Sequence, residues 1–309
     1  MALVVVSAAA SFGCLAAGPA VPRATSNSEL RITGEVSDFD RISGSLVFRT
    51  NVIAVIGDTI LHADLVKAFH NPKAREGFDS IVATGNLKFE TPDRVLTGDK
   101  GVWNSARNTT RITGTPNVRV RQKDGNEIIT PEIIYDMTLD RITFVGRTEV
   151  RVQVGNDLKE NWNETMTNDT VSITADGGGI EQSTGCVVFR TNVLAMIGDR
   201  VLRADAIEAY QDAGTKGGFR SIVATGHIRL ETPSPDRIVT GDRGVWDRKL
   251  NTIRITGVPN VQVQEEDGRE LVAQAVVYDV SGRKFSVEGR AQARVKLNSE
   301  TKKSWDNNF

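Results

Sequence analysis

Apolar and polar residues alternate along most of this chain. Leu46, Phe48, Val52, Ala54 and Ile56 share one parity, while Ser45, Arg49 and Asn51 share the other. Ile81, Ala83, Leu87 and Phe89 oppose Ser80, Thr84, Asn86, Lys88 and Glu90 in the same way. Ile112, Val118 and Val120 oppose Arg111, Thr113, Asn117, Arg119 and Arg121. Ile142, Phe144, Val150 and Val152 oppose Arg141, Thr143, Arg147, Glu149 and Arg151. Strands have period two, so each line predicts a strand with an apolar face and a charged face. Helical periodicity is missing after residue 24. Turn-prone pairs (TN at Thr50, AD at Ala63, TG at Thr84, GD at Gly98) fall near the middle of these lines. Small or turn-forming residues in mid-strand mark a bend or bulge. A stack of bent lines is a sheet folded over on itself.

The pattern occurs twice. VFRTNV at Val47 returns at Val188, IGD at Ile56 returns at Ile197, and SIVATG at Ser80 returns at Ser221. Between Val47 and Pro92, 25 of 46 residues are identical at a shift of 141. Ser234 and Pro235 are then inserted; at a shift of 143, GVW returns at Gly244, RITG at Arg254, PNV at Pro259 and YD at Tyr278. A repeat of this length is read before anything else. It predicts two modules, 28–154 and 170–297, each of about eight extended lines. The polar stretch 155–169 joins them, and 298–309 is a polar tail. The second copy keeps the parity at Val187, Phe189, Val193 and Ile197, and again at Ile222, Ala224, Ile228 and Leu230. Ile255, Val261, Phe285 and Val287 extend its apolar face.

Composition changes this picture little. Val, Ile and Thr are plentiful, and β-branched residues suit a pleated surface. Lys plus Arg number 38 against 39 Asp plus Glu, which gives no support to nucleic-acid binding, a function that draws on a basic excess. No charge occurs from Ala2 to Val21. Residues 1–24 therefore read as a secretory signal with small residues near a cleavage point, although no basic residue precedes the apolar run. An uncleaved anchor is the alternative. Of the two cysteines, Cys14 falls inside that segment, where SFGC imitates a lipidation site poorly, and Cys186 reads as a small buried residue.

Candidate chemistry is sparse. The three histidines, His62, His70 and His227, align with Arg203, Gln211 and Asn86, so none is present in both copies. Nor does any have a partner at ligand spacing. Asp58, Asp64 and Asp99 return as Asp199, Asp205 and Asp242; after Gly or Ala at bends they read as turn formers first. Neither a nucleophile elbow nor a phosphate loop nor a zinc pattern is present. The expectation is no enzyme, no cofactor and no metal.

VVFRTNV, LRADAIEAY, SIVATGHIRLETP and RIVTGDRGVWDRKLNTIRITGVPNV together resemble the OstA-like pattern of periplasmic lipopolysaccharide-transport proteins, which includes the bridge protein LptA and the N-terminal part of the outer-membrane translocon. The resemblance covers nearly all of the chain after residue 24, once per module. It implies an all-β fold: a half-open, twisted, V-shaped β-jellyroll, solenoid-like and antiparallel, here in two tandem repeats. It also implies a periplasmic location and a lipid, lipopolysaccharide or a similar acylated molecule, carried from inner to outer membrane in an apolar trough. Neighbouring β-jellyroll proteins, an inner-membrane anchor and the outer-membrane translocon, would dock by edge-strand stacking, and self-association is open. Two departures stand out. The bridge protein usually has one module, and Thr50 and Thr191 stand where the family often has Gly.

On that reading the trough is lined by Leu46, Phe48, Val52, Ile56, Ile81, Leu87, Phe89, Ile112, Val118, Ile142 and Phe144. In the second module the lining is Val187, Phe189, Val193, Ile197, Ile222, Ile228, Leu230, Ile255, Val261, Phe285 and Val287. Two other readings stay open. A rigid β-repeat scaffold or adhesin would pack the same faces into a dry core, with Trp103 and Trp246 as plain packing residues rather than rim residues. A β-helical carbohydrate-active enzyme is the remote alternative. Arg49, Arg119 and Arg190 read as solvated outward charges.

Overall fold

A computed structural model describes residues 30–40, 42–70, 78–123, 125–153, 170–181, 183–197, 200–211, 219–233, 236–279 and 284–295. The expected leader at 1–24, the joint at 155–169 and the tail at 298–309 lie outside these residues. Every described element is a strand, as the alternation requires. The chain runs β1 (Leu30–Thr33), β2 (Val36–Asp40), β3 (Ser45–Ile56), β4 (Thr59–His70), β5 (Phe78–Thr91), β6 (Arg94–Asn104), β7 (Thr109–Gln122), β8 (Glu127–Asp136) and β9 (Arg141–Gln153). It continues with β10 (Thr170–Glu181), β11 (Cys186–Ile197), β12 (Arg200–Gln211), β13 (Phe219–Pro233), β14 (Asp236–Asp247), β15 (Thr252–Glu265), β16 (Glu270–Asp279) and β17 (Lys284–Arg294). Successive strands pair antiparallel from β2 to β9 and from β13 to β17, while β1 adds to the far half of β3.

By contacts the chain divides into two units. One is Met1–Gln153 with Ser172–Thr191 and Glu208–Arg220; the other is Val154–Val171, Asn192–Ile207 and Ser221–Phe309. This division follows physical contact. Since β10 pairs with β9, its residues from Ser172 onward group with the first unit.

The mid-strand pairs are where the sheet bends. Thr50 and Asn51 both have left-handed backbones, with φ of 62° and 52°. Between Arg49 and Val52 the ladder takes three steps on β3 against two on β4, Leu65 to Ala63. That extra residue is a β-bulge, which sharpens local twist. Gly85 and Asn86 (φ 79° and 47°) do the same on β5, where Thr84 to Leu87 opposes Lys100 to Gly98. Only residues tolerant of positive φ serve there cheaply. A neighbouring strand or its connection supplies a polar cap at three of these bends. Asn51 Nδ2 donates to Glu35 Oε1 at 2.5 Å, Asn86 Nδ2 to Asp64 Oδ2 at 2.9 Å, and the Thr115 amide to Asp99 Oδ2.

A bulge on one strand has a consequence for its neighbour. The bulged strand β5 keeps one buried parity throughout (Ile81, Ala83, Leu87, Phe89), whereas on β3 Val47 is buried before the bend, in place of the expected Leu46 and Phe48, and Val52 and Ala54 after it. On β4 and β6 the buried parity switches at the bend: Leu61 and Ala63 before Asp64, then Val66 and Ala68; Leu96 before the bend, then Gly101 and Trp103. In the second unit, residues from both sides of the bends form one core. Val239, Ile255, Val261, Val263, Ala273 and Val276 cluster, with Leu230, Ile253, Leu271 and Phe285 packed against them. The sheet is folded over on itself, as expected.

Candidate functional site

The inner face is the candidate site. Alternation puts Ile81, Trp103, Thr110, Tyr135 and Ile142 in one cross-strand row of the first unit. Ala83, Gly101, Ile112, Ile133 and Phe144 form the next. Beyond the bend, Leu87 and Phe89 join Leu96, Val118, Val120 and Ile128. Fully burying a side chain of this size contributes about 1.5–3 kcal/mol, which holds such a face inward.

Of the residues expected to line a trough, Val52, Ile81, Leu87, Phe89, Ile112, Val118, Ile142, Phe144, Val187, Phe189, Val193, Ile228, Ile255 and Val261 are buried. Leu46, Phe48, Ile222, Leu230 and Phe285 are partly exposed. Val287 has the inner parity but is 36% exposed, because β17 is open to solvent along nearly its whole length. The side chains of Ile56 and Ile197 lie outside the described residues. Alternation alone does not pick out Leu61, Val66, Leu96, Ile128 and Ile133, which are equally buried. Their strands switch parity, and the only signal for that is the AD, GD or TP pair at the bend.

Accessibility is not uniform. From β4 to β9 the inner residues of the first unit, Tyr135 apart, are closed off, with Phe144 only 2% exposed. Toward the start of that unit the face opens: Phe39 on β2, opposite Leu46, is 58% exposed. In the second unit Ile222, Leu230, Trp246, Ile253, Leu271 and Phe285 all keep partial exposure.

Polar groups close one margin of the inner face. Arg94 is buried at the end of β6 opposite Gln122, which accepts from Asn126 Nδ2 at 3.1 Å. In the second unit Arg237 instead pairs with Glu265 at 2.6 Å and stacks 5.4 Å over the Phe285 ring.

The outer face carries paired charge. Glu127 receives Arg119 at 2.7 Å, Arg121 at 3.2 Å and Arg151 at 3.6 Å. Burial pushes its pKa up, but the Arg119 and Arg121 hydrogen bonds outweigh that and hold it below the usual carboxylate range. Arg49 pairs with Asp38, and Arg190 is exposed. The recurring aspartates serve the bends: Asp64 and Asp99 cap as described, Asp205 contacts His227 Nδ1 at 2.7 Å, and Asp242 accepts from the Val258 amide. Cys186 is buried, and that burial raises its thiol pKa, as suits a packing residue.

These features define an antiparallel β-protein of bent strands with an apolar interior and an ion-paired exterior. The sequence matches the family described as LptA/(LptD N-terminal domain) LPS transport protein over residues 31–141 and again over 172–284. The chain belongs to that family. No curated protein matches the sequence. Among solved structures, LptH from Pseudomonas aeruginosa, the LptA-homologous periplasmic component of the lipopolysaccharide transport device, aligns at 17% identity. That alignment covers 41% of this chain and 95% of LptH, with a TM-score of 0.35. The WD40 domain of SCAP from fission yeast aligns at 9% identity over 87% of this chain and 91% of that one, with a TM-score of 0.16. Apo AztD from Citrobacter koseri aligns at 11% over 87% and 100%, with a TM-score of 0.13.

Proposed function

We propose that this chain is a non-catalytic periplasmic component of lipopolysaccharide transport, whose inner apolar face receives acyl chains on their way from inner to outer membrane. The supporting observation is the inner face itself, apolar on strand after strand in both sequence repeats of a transport family and partly open at β2–β3 and β13–β17. Two modules in one chain replace one non-covalent joint between stacked units by a covalent one. Neighbouring β-jellyroll proteins of the bridge would dock by edge-strand stacking, and a second copy of the chain is an alternative neighbour.

The test is photo-crosslinking in cells, with the reactive residue at Phe48, Phe285 and outward-facing Arg49. Lipid adducts are expected at the first two and not the third. Equal labelling at all three, or none, counts against a lipid-carrying inner face.

A rigid spacer is the second reading, and it has an observation of its own: the closed inner face of β4–β9. Passage there requires the two faces to part. The strand pairings run along the meander, so parting breaks side-chain contacts rather than ladders. Adducts at Phe285 without any at Phe48 or Phe144 would limit the lipid to the second unit.

A further inference from the structure

We infer that the inner face carries two hydrogen-bonding handles, Trp246 Nε1 and Thr110 Oγ1, which take an oxygen borne by the acyl chain, a hydroxyl or an ester carbonyl. This rests on the lipid-binding reading above and specifies its ligand. Trp246 lies on β14 between Ile222 of β13 and Ile253 of β15. Its indole nitrogen is buried and has no hydrogen-bond partner among the described residues. An indole N–H only donates, so it can be satisfied only by an acceptor.

Thr110 lies on β7 between Trp103 of β6 and Tyr135 of β8. It is 2% exposed, and its hydroxyl also lacks a partner among the described residues. Tyr135 does not supply one through its own donation, since its hydroxyl donates to Asp140 Oδ1 at 2.7 Å. Other buried threonines on the inner face are served: Thr148 Oγ1 donates to Thr130 Oγ1 at 3.0 Å. The fold can therefore satisfy inner hydroxyls, and at residue 110 it does not.

The two orphans are opposite members of corresponding cross-strand pairs. Trp103 corresponds to Trp246 and Thr110 to Ile253 at the shift of 143, so each repeat has one unsatisfied polar atom in the same cross-strand pair. Leaving a buried donor or acceptor unmade costs about 1–3 kcal/mol, and native structures hold few such groups. Plain hydrocarbon offers these atoms nothing. A hydroxyl satisfies either one, and an ester carbonyl accepts from both.

The test compares 3-hydroxytetradecanoic acid with tetradecanoic acid, equal in length and head group, on the full chain and on Trp246→Phe and Thr110→Val. Thr110→Val keeps bulk and removes only the hydroxyl; Trp246→Phe removes the N–H together with part of the ring, so each variant is judged by the ratio between the two acids, which lost bulk alone does not change. The intact protein is expected to bind the hydroxylated acid ~5–10-fold tighter, the worth of one hydrogen bond. Each variant lowers that ratio, and the double variant brings it to about one. Independently of any variant, the indole N–H resonance of Trp246 should move downfield with the hydroxylated acid and not with its partner. Equal affinity of the intact protein for the two acids, an unmoved indole resonance, or a ratio untouched in the double variant would overturn the inference while leaving lipid binding intact. If tetradecanoic acid does not bind at all, the lipid-binding reading itself falls.

Discussion

Thr50 and Thr191 hold left-handed backbones, at φ 62° and 65°, and replacing each with Gly should stabilise the protein. A residue with a Cβ loses about 1–2 kcal/mol in this conformation, and β-branched residues are the least suited to it. Glycine gives back roughly 0.5–1 kcal/mol through the greater freedom of its unfolded chain. Both threonines are exposed, and neither hydroxyl forms a hydrogen bond among the described residues. The bond that matters, from the Glu35 amide to the Thr50 carbonyl at 3.1 Å, survives the substitution. The net gain is about 0.5–1 kcal/mol per site, or about 1–2 kcal/mol for both if they are independent. Both residues belong to the first unit, so the gain should appear on one transition. Urea unfolding of Thr50→Gly, Thr191→Gly and the pair should raise the midpoint at constant slope. In thermal melts a gain of 1 kcal/mol corresponds to about 2–4 °C for a unit of roughly 150–250 residues. A double variant no more stable than the parent would show that these side chains contribute more at the bends than the backbone loses.

The opposite change should do harm. At Gly85 (φ 79°) an added Cβ would collide with the Asp64 side chain, so Gly85→Ala should lower stability by about 2 kcal/mol in the same urea assay. Glu127→Gln should cost about 1–2 kcal/mol at neutral pH by leaving three arginines without their carboxylate. Because the Glu127 pKa is lowered on folding, that difference is present above the ordinary glutamate value and fades as pH falls through the folded one. The hydrogen bond from His227 to Asp205, then their charge attraction, raises the His227 pKa above 6.5. The stability it gives is present below 6.5 and is lost as pH rises through the folded value; an NMR titration of His227 should show the raised value in the parent and an ordinary one in Asp205→Asn.

Much of the fold is legible in the sequence, because strand period and bend chemistry are local. The parity of Ile81, Leu87 and Phe89, and of Ile112 and Val118, survives into the structure since the bulges fall on those strands. Leu61, Leu96 and Ile128 escape the same reading, as a bulge on one strand switches parity on its unbulged neighbour. Two bend threonines in place of glycine leave geometry undetermined from residue type, yet they take the left-handed conformation all the same. Accessibility was beyond sequence reasoning. Ile81 and Ile222 are the same residue at equivalent positions, but the first is 8% exposed while the second is partly open. What covers a side chain depends on neighbours along the whole row, and no window of sequence contains that row.

That difference between equivalent positions bears on how a guest would be held. Phe144 in the first repeat corresponds to Val287 in the second, Phe89 to Leu230, and Ile142 to Phe285. At two of these three places the second repeat has the smaller side chain, and its inner face on β13–β17 retains more exposure than that of β4–β9. Closing an apolar face without a guest gives up nothing if side chains fill the space, as they do on β4–β9. Leaving it partly open keeps apolar surface in water at about 25 cal/mol per Å², a standing cost that a hydrocarbon chain would remove. On the lipid-binding reading, β13–β17 are thus where an acyl chain would gain most on entry and displace least. Trp246, with its unanswered indole N–H, sits on that open face, whereas Thr110 sits behind the closed one. On that reading, a chain entering at the second repeat would reach the buried indole nitrogen through a partly open face, whereas reaching Thr110 would require the first core to part.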